Sequence, residues 1–393
     1  MGAGSVQKVR AGCLAFAMLL IGARAAGETQ VVPTLRLAAE ERYDDDALLR
    51  TSPQGAGQMI TKLSPQIGLN VSDETLETGG WYAADFLFRH GSHTTDLDHR
   101  AAFTFDKKFS RTFELDSQLN FWRVSDPTAL PRLGMARSLS PIMYGRGQVS
   151  AKIGLSERLW LHPGYRFEGA KIYEPGRPGG TAHTPFVELW YRITRRADLG
   201  AEYRFQYFGF GPQSADANGI FAAYRYRLAR HTVFTAHAGP VFFREYATGG
   251  NRGFLPMVQL ELTHGIGGRF DIGLAIGHDI VGATGFTNVL WADYGSLALS
   301  YKISEPFRIF GAAAYFRNGF APNRDWTAFN FGTPHSGTAQ GYSVGGGLEW
   351  RASSVVAVQG AFDRYDQVAA PDALAGVNLS RNIGSIRLVL TAL

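Results

Sequence analysis

The sequence predicts an all-β chain, closed into a transmembrane antiparallel β-barrel of about eighteen strands, with sixteen as the fallback count. Three observations carry that reading. Segment after segment alternates apolar and polar residues with a period of two. Short connections alternate with long ones, and the N-terminus is built for export.

Lys8 and Arg10 precede the apolar run Ala11–Ile21, which ends in Ala23-Arg24-Ala25. A basic region, a short apolar region and an A-x-A site mark residues 1–25 as a secretory signal peptide. Cys13 is the one cysteine and leaves with it. That excludes disulfides and thiolate chemistry from the mature chain. Residues 26–33 are expected to be a short periplasmic segment and residues 34–393 the barrel, with no linker between domains. An even strand count puts both termini on the periplasmic side, in the outer membrane of a Gram-negative cell.

Composition agrees with this. The chain is 45% hydrophobic and 19% charged, against a usual charged share of about 25%. No run reaches the roughly 18 apolar residues of a membrane helix. A large soluble all-β protein would average the same way, so the patterning decides. Net charge is +5 without a basic block, which argues against nucleic acid as a partner.

The strands follow in order. Leu35, Leu37 and Ala39 alternate with Arg36 and Glu40; Met59, Leu63, Ile67 and Leu69 share a parity. Tyr82, Phe86 and Phe88 alternate with Asp85 and Arg89. In TFELDSQLNFW, Phe113, Leu115, Leu119 and Phe121 oppose Glu114, Asp116, Gln118 and Asn120. This stretch has the roughly 9–11 residues a tilted spanning strand needs. Leu159, Leu161, Tyr165 and Phe167 oppose His162, Arg166 and Glu168. Val187, Leu189 and Tyr191 oppose Glu188 and Arg192, and Tyr203, Phe205 and Tyr207 oppose Glu202 and Arg204. Ile220, Tyr224 and Tyr226 oppose Arg225 and Arg227; Val258 and Leu260 oppose Gln259 and Glu261. Phe270, Ile272, Leu274 and Ile276 oppose Arg269 and Asp271. The last strand, NIGSIRLVLTAL, sets Ile386 and Leu388 against Arg387 but lacks the terminal aromatic that barrel assembly usually reads. Short connections such as LSER, TRRAD, ISEP and RASS alternate with long ones at 125–143, 174–183, 246–253, 321–339 and 367–377.

The stretch Pro33–Val124 resembles the outer-membrane barrels of exopolysaccharide and exosortase loci, the family called β-barrel porin 2. The resembling residues are PTLRLAAEERYDDDALL, MITKLSPQIGLNV with its Ile/Val-x-x-x-Ser-Pro-x-Ile/Leu pattern, and WYAADFLFRHGSHTTDLDHRAAF. The resemblance implies an eighteen-strand-like barrel that takes part in exporting a secreted polysaccharide. It supplies no functional residues to carry over.

The candidate pore-lining residues are the inward charges: Glu114, Asp116, Arg166, Glu188, Arg192, Glu202, Arg204, Arg225, Arg227, Glu261, Arg269, Asp271 and Arg387. Arginine and carboxylate offer paired donors and acceptors for sugar hydroxyls or anionic groups, or for one another across strands. Trp122, Trp160 and Trp190 share the inward parity and suit either packing or sugar stacking. Asp44, Asp45 and Asp46 read as a solvated loop rather than a cation cage, and no metal or other cofactor is expected. His90, His93 and His99 are expected near a mobile loop, without an orienting third group for catalysis.

The first functional reading is a non-enzymatic outer-membrane pore taking part in exopolysaccharide export. The alternative is a general or substrate-specific porin for small solutes. A barrel enzyme (a lipase, lipid A-modifying enzyme or protease) is the third, of a different class. Expected partners are outer-membrane lipid and lipopolysaccharide, polysaccharide or small solutes in the lumen, and a periplasmic polysaccharide-export partner under the first reading.

Overall fold

A computed structural model describes residues 29–46, 57–126, 140–173, 179–211, 213–246, 252–266, 268–282, 289–320, 338–369 and 378–392. These residues form eighteen antiparallel strands. They are β1 (Gln30–Asp44), β2 (Gln58–Ser72), β3 (Leu76–Arg89), β4 (Thr94–Lys108), β5 (Phe113–Val124) and β6 (Ile142–Gly154). Next come β7 (Leu159–Ile172), β8 (Gly180–Arg192), β9 (Ala197–Phe210), β10 (Gln213–Ala229), β11 (Thr232–Glu245) and β12 (Arg252–Ile266). The last six are β13 (Phe270–Gly282), β14 (Val289–Lys302), β15 (Phe307–Phe320), β16 (Thr338–Arg351), β17 (Val356–Ala369) and β18 (Leu379–Ala392). Each strand pairs with its sequence neighbours, and β1 pairs with β18 from Leu35↔Ala392 to Asp44↔Ile383. The sheet is therefore closed and has no edge strand. β1 begins four residues before the expected Thr34.

Local chemistry explains the short turns. Asp73 Oδ1 accepts hydrogen bonds from the backbone N–H of Thr75 (2.7 Å) and Leu76 (2.8 Å), closing β2 onto β3. The Thr75 amide leads the contacts that hold the Asp73 carboxyl below its ordinary pKa. Ser156, Thr194 and Ser353 repeat the device, each hydroxyl accepting from amides two and three residues on. Such side chains offer the backbone a local partner at the point where the ladder must reverse. The expected mobile loop around His90 is instead a four-residue connection between β3 and β4, with His93 at φ 52°.

Residues facing each other across a ladder share a face, so the register separates inside from outside. The outer set includes Leu35, Ile67, Leu119, Tyr203, Ile220, Val344 and Ile386, the last 68% exposed. A belt of exposed aliphatic side chains that runs around the wall suits hydrocarbon rather than water. The inner set carries the charges.

One part of the wall leaves this plan. Pro240 and Pro256 face each other across β11 and β12. Neither has an N–H, so they cannot form a hydrogen-bonded pair; each nitrogen is turned toward its other neighbour. The β10–β11 ladder skips Ile220 and Phe221, and the β12–β13 ladder stops at Val258↔His278. Beyond His278, β13 stays paired with β14 but parts from β12. It comes into contact with β8, five strands away around the wall. That contact requires the wall to fold into the lumen. Ile280, lipid-facing by parity, is 2% exposed and joins Phe208, Phe221, Val241, Phe243 and Met257 in a buried cluster.

Candidate functional site

The inward residues of β7 to β11 meet in register. Trp160 faces Trp190, Trp190 faces Gly200, Gly200 faces Ala223, and Ala223 faces His237. One step toward the short turns, Arg192, Asp198, Arg225, Thr235 and Glu261 form a second row. On the other side lies a third row of His162, Glu188, Glu202 and Phe221.

Trp190 anchors the site. It is 1% exposed and lies nearly parallel to Trp160 (12°, centroids 6.5 Å apart). His237 meets it edge-on, and the Arg225 guanidinium lies 4.4 Å from its ring centroid. Gly200 makes room for it, since a Cβ there would come within 2.8 Å of Trp190 Cε3. Trp190 Nε1 donates to Glu188 Oε2 at 2.8 Å. The indole thus packs on one face, is hydrogen-bonded at its edge, and carries a cation on top.

Around it Lys152, His162, Arg192, Arg225 and Arg227 line a recess of about 150 Å³ with the two tryptophans. Lys152 reaches Glu114 at 3.2 Å, while Arg192 and Arg227 share Asp198 at 3.5 and 3.7 Å. Arg225 has no carboxylate within ion-pair distance among the described residues. Among the described residues the four Lys and Arg cations thus have two carboxylates at ion-pair distance, and the lining presents an excess of positive charge to the lumen.

The neighbouring row holds the carboxylates. Glu188 and Glu202 face each other directly, a repulsive placement that their partners relieve. His162 Nδ1 sits 2.9 Å from Glu188 Oε2, and His237 Nδ1 2.9 Å from Glu202 Oε2. Arg204 Nε donates to Glu202 Oε1 at 2.8 Å, and its Nη1 lies 3.6 Å from Asp279 Oδ2. Glu188, Glu202 and His237 offer metal-ligand atoms within 4.8 Å of one another. Arg204 offsets one of these two carboxylates, and the arginine-rich wall beside them opposes a further cation. We read it as the network that ties the folded-in end of β13 to the wall through Arg204 and Asp279.

The other sequence-predicted residues distribute as follows. Arg166 is inward, beside Gln148 and Phe186. Asp116 accepts from Ser150, Glu261 from Gln259, and Arg387 lies 3.9 Å from Glu40. Asp271 has the inward parity, opposite Ser300. Arg269 does not line the wall; it lies in the turn before β13, because the strand begins one residue later. Trp122 packs on Tyr144. Asp44 is not in a solvated loop: it ends β1, fully buried against Arg381, because that guanidinium needs an anion. Asp45 binds Asn382, and Arg381 Nη1 also holds Asp126 at 2.7 Å. Asp126 follows β5 by two residues, so the chain leaving β5 turns inward to reach β18. His90 binds Thr61, and His99 binds Tyr82. Sequence reasoning missed Lys152, Asp198, His237 and Asp279 as members of the site. Asp198 was hidden in the turn TRRAD, and His237 in a strand of small residues.

No protein-family model matches the chain, and no curated protein matches it. Among solved structures it is similar to OpdL of Pseudomonas aeruginosa, at 13% identity and TM-score 0.43, over 92% of this chain and 99% of that one. It is similar to P. aeruginosa OccK2 (OpdF) in complex with glucuronate, at 11% identity and TM-score 0.47, over 93% and 99%. It is also similar to Acinetobacter baumannii OccAB4, at 10% identity and TM-score 0.45, over 94% and 100%. By its own closed eighteen-strand wall, apolar exterior and charged interior, the chain is a porin-like barrel of the outer membrane.

Proposed function

We propose that the barrel is a solute-selective pore that favours small anions. The observation that carries this is Arg225, a guanidinium 4.4 Å from the ring centroid of buried Trp190 with no carboxylate partner among the described residues, beside Lys152, Arg192 and Arg227. The ring contact holds the guanidinium in place and leaves N–H groups for a carboxylate or phosphate in the lumen. Two inward turns of the chain, at Asp126 and at Asp279, suit a narrow path for small solutes. The polysaccharide-export reading, with its porin 2 family and periplasmic partner, needs a lumen clear along its length, and these two features work against it. The enzyme reading loses its histidines to separate structural contacts at Thr61 and Tyr82.

The test is the reversal potential of the refolded protein in a planar bilayer under a KCl gradient, followed by uptake of small carboxylates into liposomes. Chloride selectivity, with carboxylates entering faster than neutral sugars of equal size, is the expected result. Cation selectivity, or indifference to solute charge, would refute the proposal. Current block by a long polysaccharide chain would revive the export reading.

A further inference from the structure

A second basic site lies on the outer face of the barrel. Arg123, Met143 and Lys171 face one another in register across β5, β6 and β7, all at the end of the wall that carries the long connections. At about 4.8 Å per strand, Arg123 and Lys171 stand roughly 10 Å apart. Both lean on one ring: the Tyr173 centroid lies 5.9 Å from the Arg123 guanidinium and 5.6 Å from the Lys171 ammonium. Tyr173 is 45% exposed, and both cations are exposed as well. Neither has a carboxylate within ion-pair distance among the described residues.

Two like charges gathered on a lipid-facing wall repel each other and resist transfer from water. Elsewhere at this end the protein supplies its own anion: outward Arg244 on β11 is held by Asp216 on β10, beneath Tyr246. On β5 to β7 no described residue supplies that anion. The surface directly below is apolar and outward, with Phe121 and Leu119 exposed. An anion bound here therefore carries acyl chains that continue down the wall.

We propose that Arg123, Lys171 and Tyr173 bind a phosphate of a phosphorylated glycolipid headgroup of the outer leaflet. The guanidinium supplies a bidentate fork, the ammonium a point charge, and the tyrosine ring an interfacial surface. The ligand bridges the two cations and removes their repulsion.

The test uses the refolded full-length barrel in detergent, titrated with bis-phosphorylated lipid A, with lipid A lacking its phosphates, and with inorganic phosphate. Binding is read by native mass spectrometry, and the heat-induced loss of the compact gel form is followed in parallel. Phosphorylated lipid A is expected to bind and to raise the transition temperature, while the other two are not. Each cation should account for about fivefold in affinity, so R123Q/K171Q should bind about 30-fold more weakly. K171R should retain binding. Single-channel conductance of the double variant should match the parent, since both side chains point away from the lumen. Equal binding by R123Q/K171Q, equal binding of dephosphorylated lipid A, or saturation by inorganic phosphate alone would overturn the proposal.

Discussion

Arg225 and Asp198 face each other in one register row and carry opposite charges into the same recess, so their removal should move ion selectivity in opposite directions. An ion passing about 8 Å from a unit charge feels about 0.5 kcal/mol at the dielectric of water and about 2 kcal/mol at an effective value of 20. Screening at 0.1 M salt, with a Debye length of about 10 Å, roughly halves both figures. The remaining ~0.2–1 kcal/mol acts with opposite sign on chloride and potassium, so the permeability ratio changes by about 2- to 25-fold. Arg225→Gln should lower the chloride-to-potassium ratio by that factor, and Asp198→Asn should raise it. At 1 M KCl the Debye length is about 3 Å, and both shifts should nearly vanish. The assay is the reversal potential under a fixed gradient at the two salt levels, with heat-modifiability on gels confirming that each variant folds. Shifts of the same sign, or shifts that survive 1 M salt, would show that the substitutions act through shape rather than charge. The electrostatic account of the recess would then fail.

Two further outcomes follow from the inward-turning segments. Asp279→Asn should loosen the folded-in end of β13 by weakening a charge-assisted contact with Arg204 of about 1–3 kcal/mol; higher conductance or more frequent open bursts would show it, and an unchanged trace would not. Arg381→Leu strips the partner from buried Asp44 and Asp126, a loss of about 3–5 kcal/mol for a broken buried pair. It should lower the denaturant midpoint of the refolded barrel, whereas the exposed pair Lys302–Glu305 should be removable with little effect.

The wall was legible because lipid on one side and water on the other impose one rule on every residue of a strand. Phe113 to Phe121 and Tyr203 to Tyr207 obey it, and the observed register keeps their polar partners inside. The recess was legible only in part. Arg192, Arg225 and Arg227 could be assigned to the lumen by parity, but parity is silent on which strands stand side by side at the same height. Lys152 lies 40 residues before Arg192 and reaches the same recess only through the stagger of the strands between them. The Trp190–Arg225 contact likewise depends on rotamers and on the space left by Gly200, neither of which a period of two can report.

The inward fold of β13 shows where such reasoning stops. Its outward parity runs from Phe270 through Ile276 and, past His278, to Ile280, so the pattern makes Ile280 one more lipid contact. In the folded chain it is buried with Met257 and Phe221 instead. What changes at that point is the partner strand, not the pattern. The missing donor was nevertheless written in the sequence: proline is confined to strand edges, strand starts and irregularities, and Pro240 and Pro256 interrupt two consecutive strands. Placed opposite each other they deny one N–H to β10 and one to β13, and both ladders break there. A closed barrel has no edge at which to place a proline without such a break. An opposed pair of strand prolines therefore marks where the wall can part, and Asp279 stands at the first position beyond that parting, where it meets Arg204.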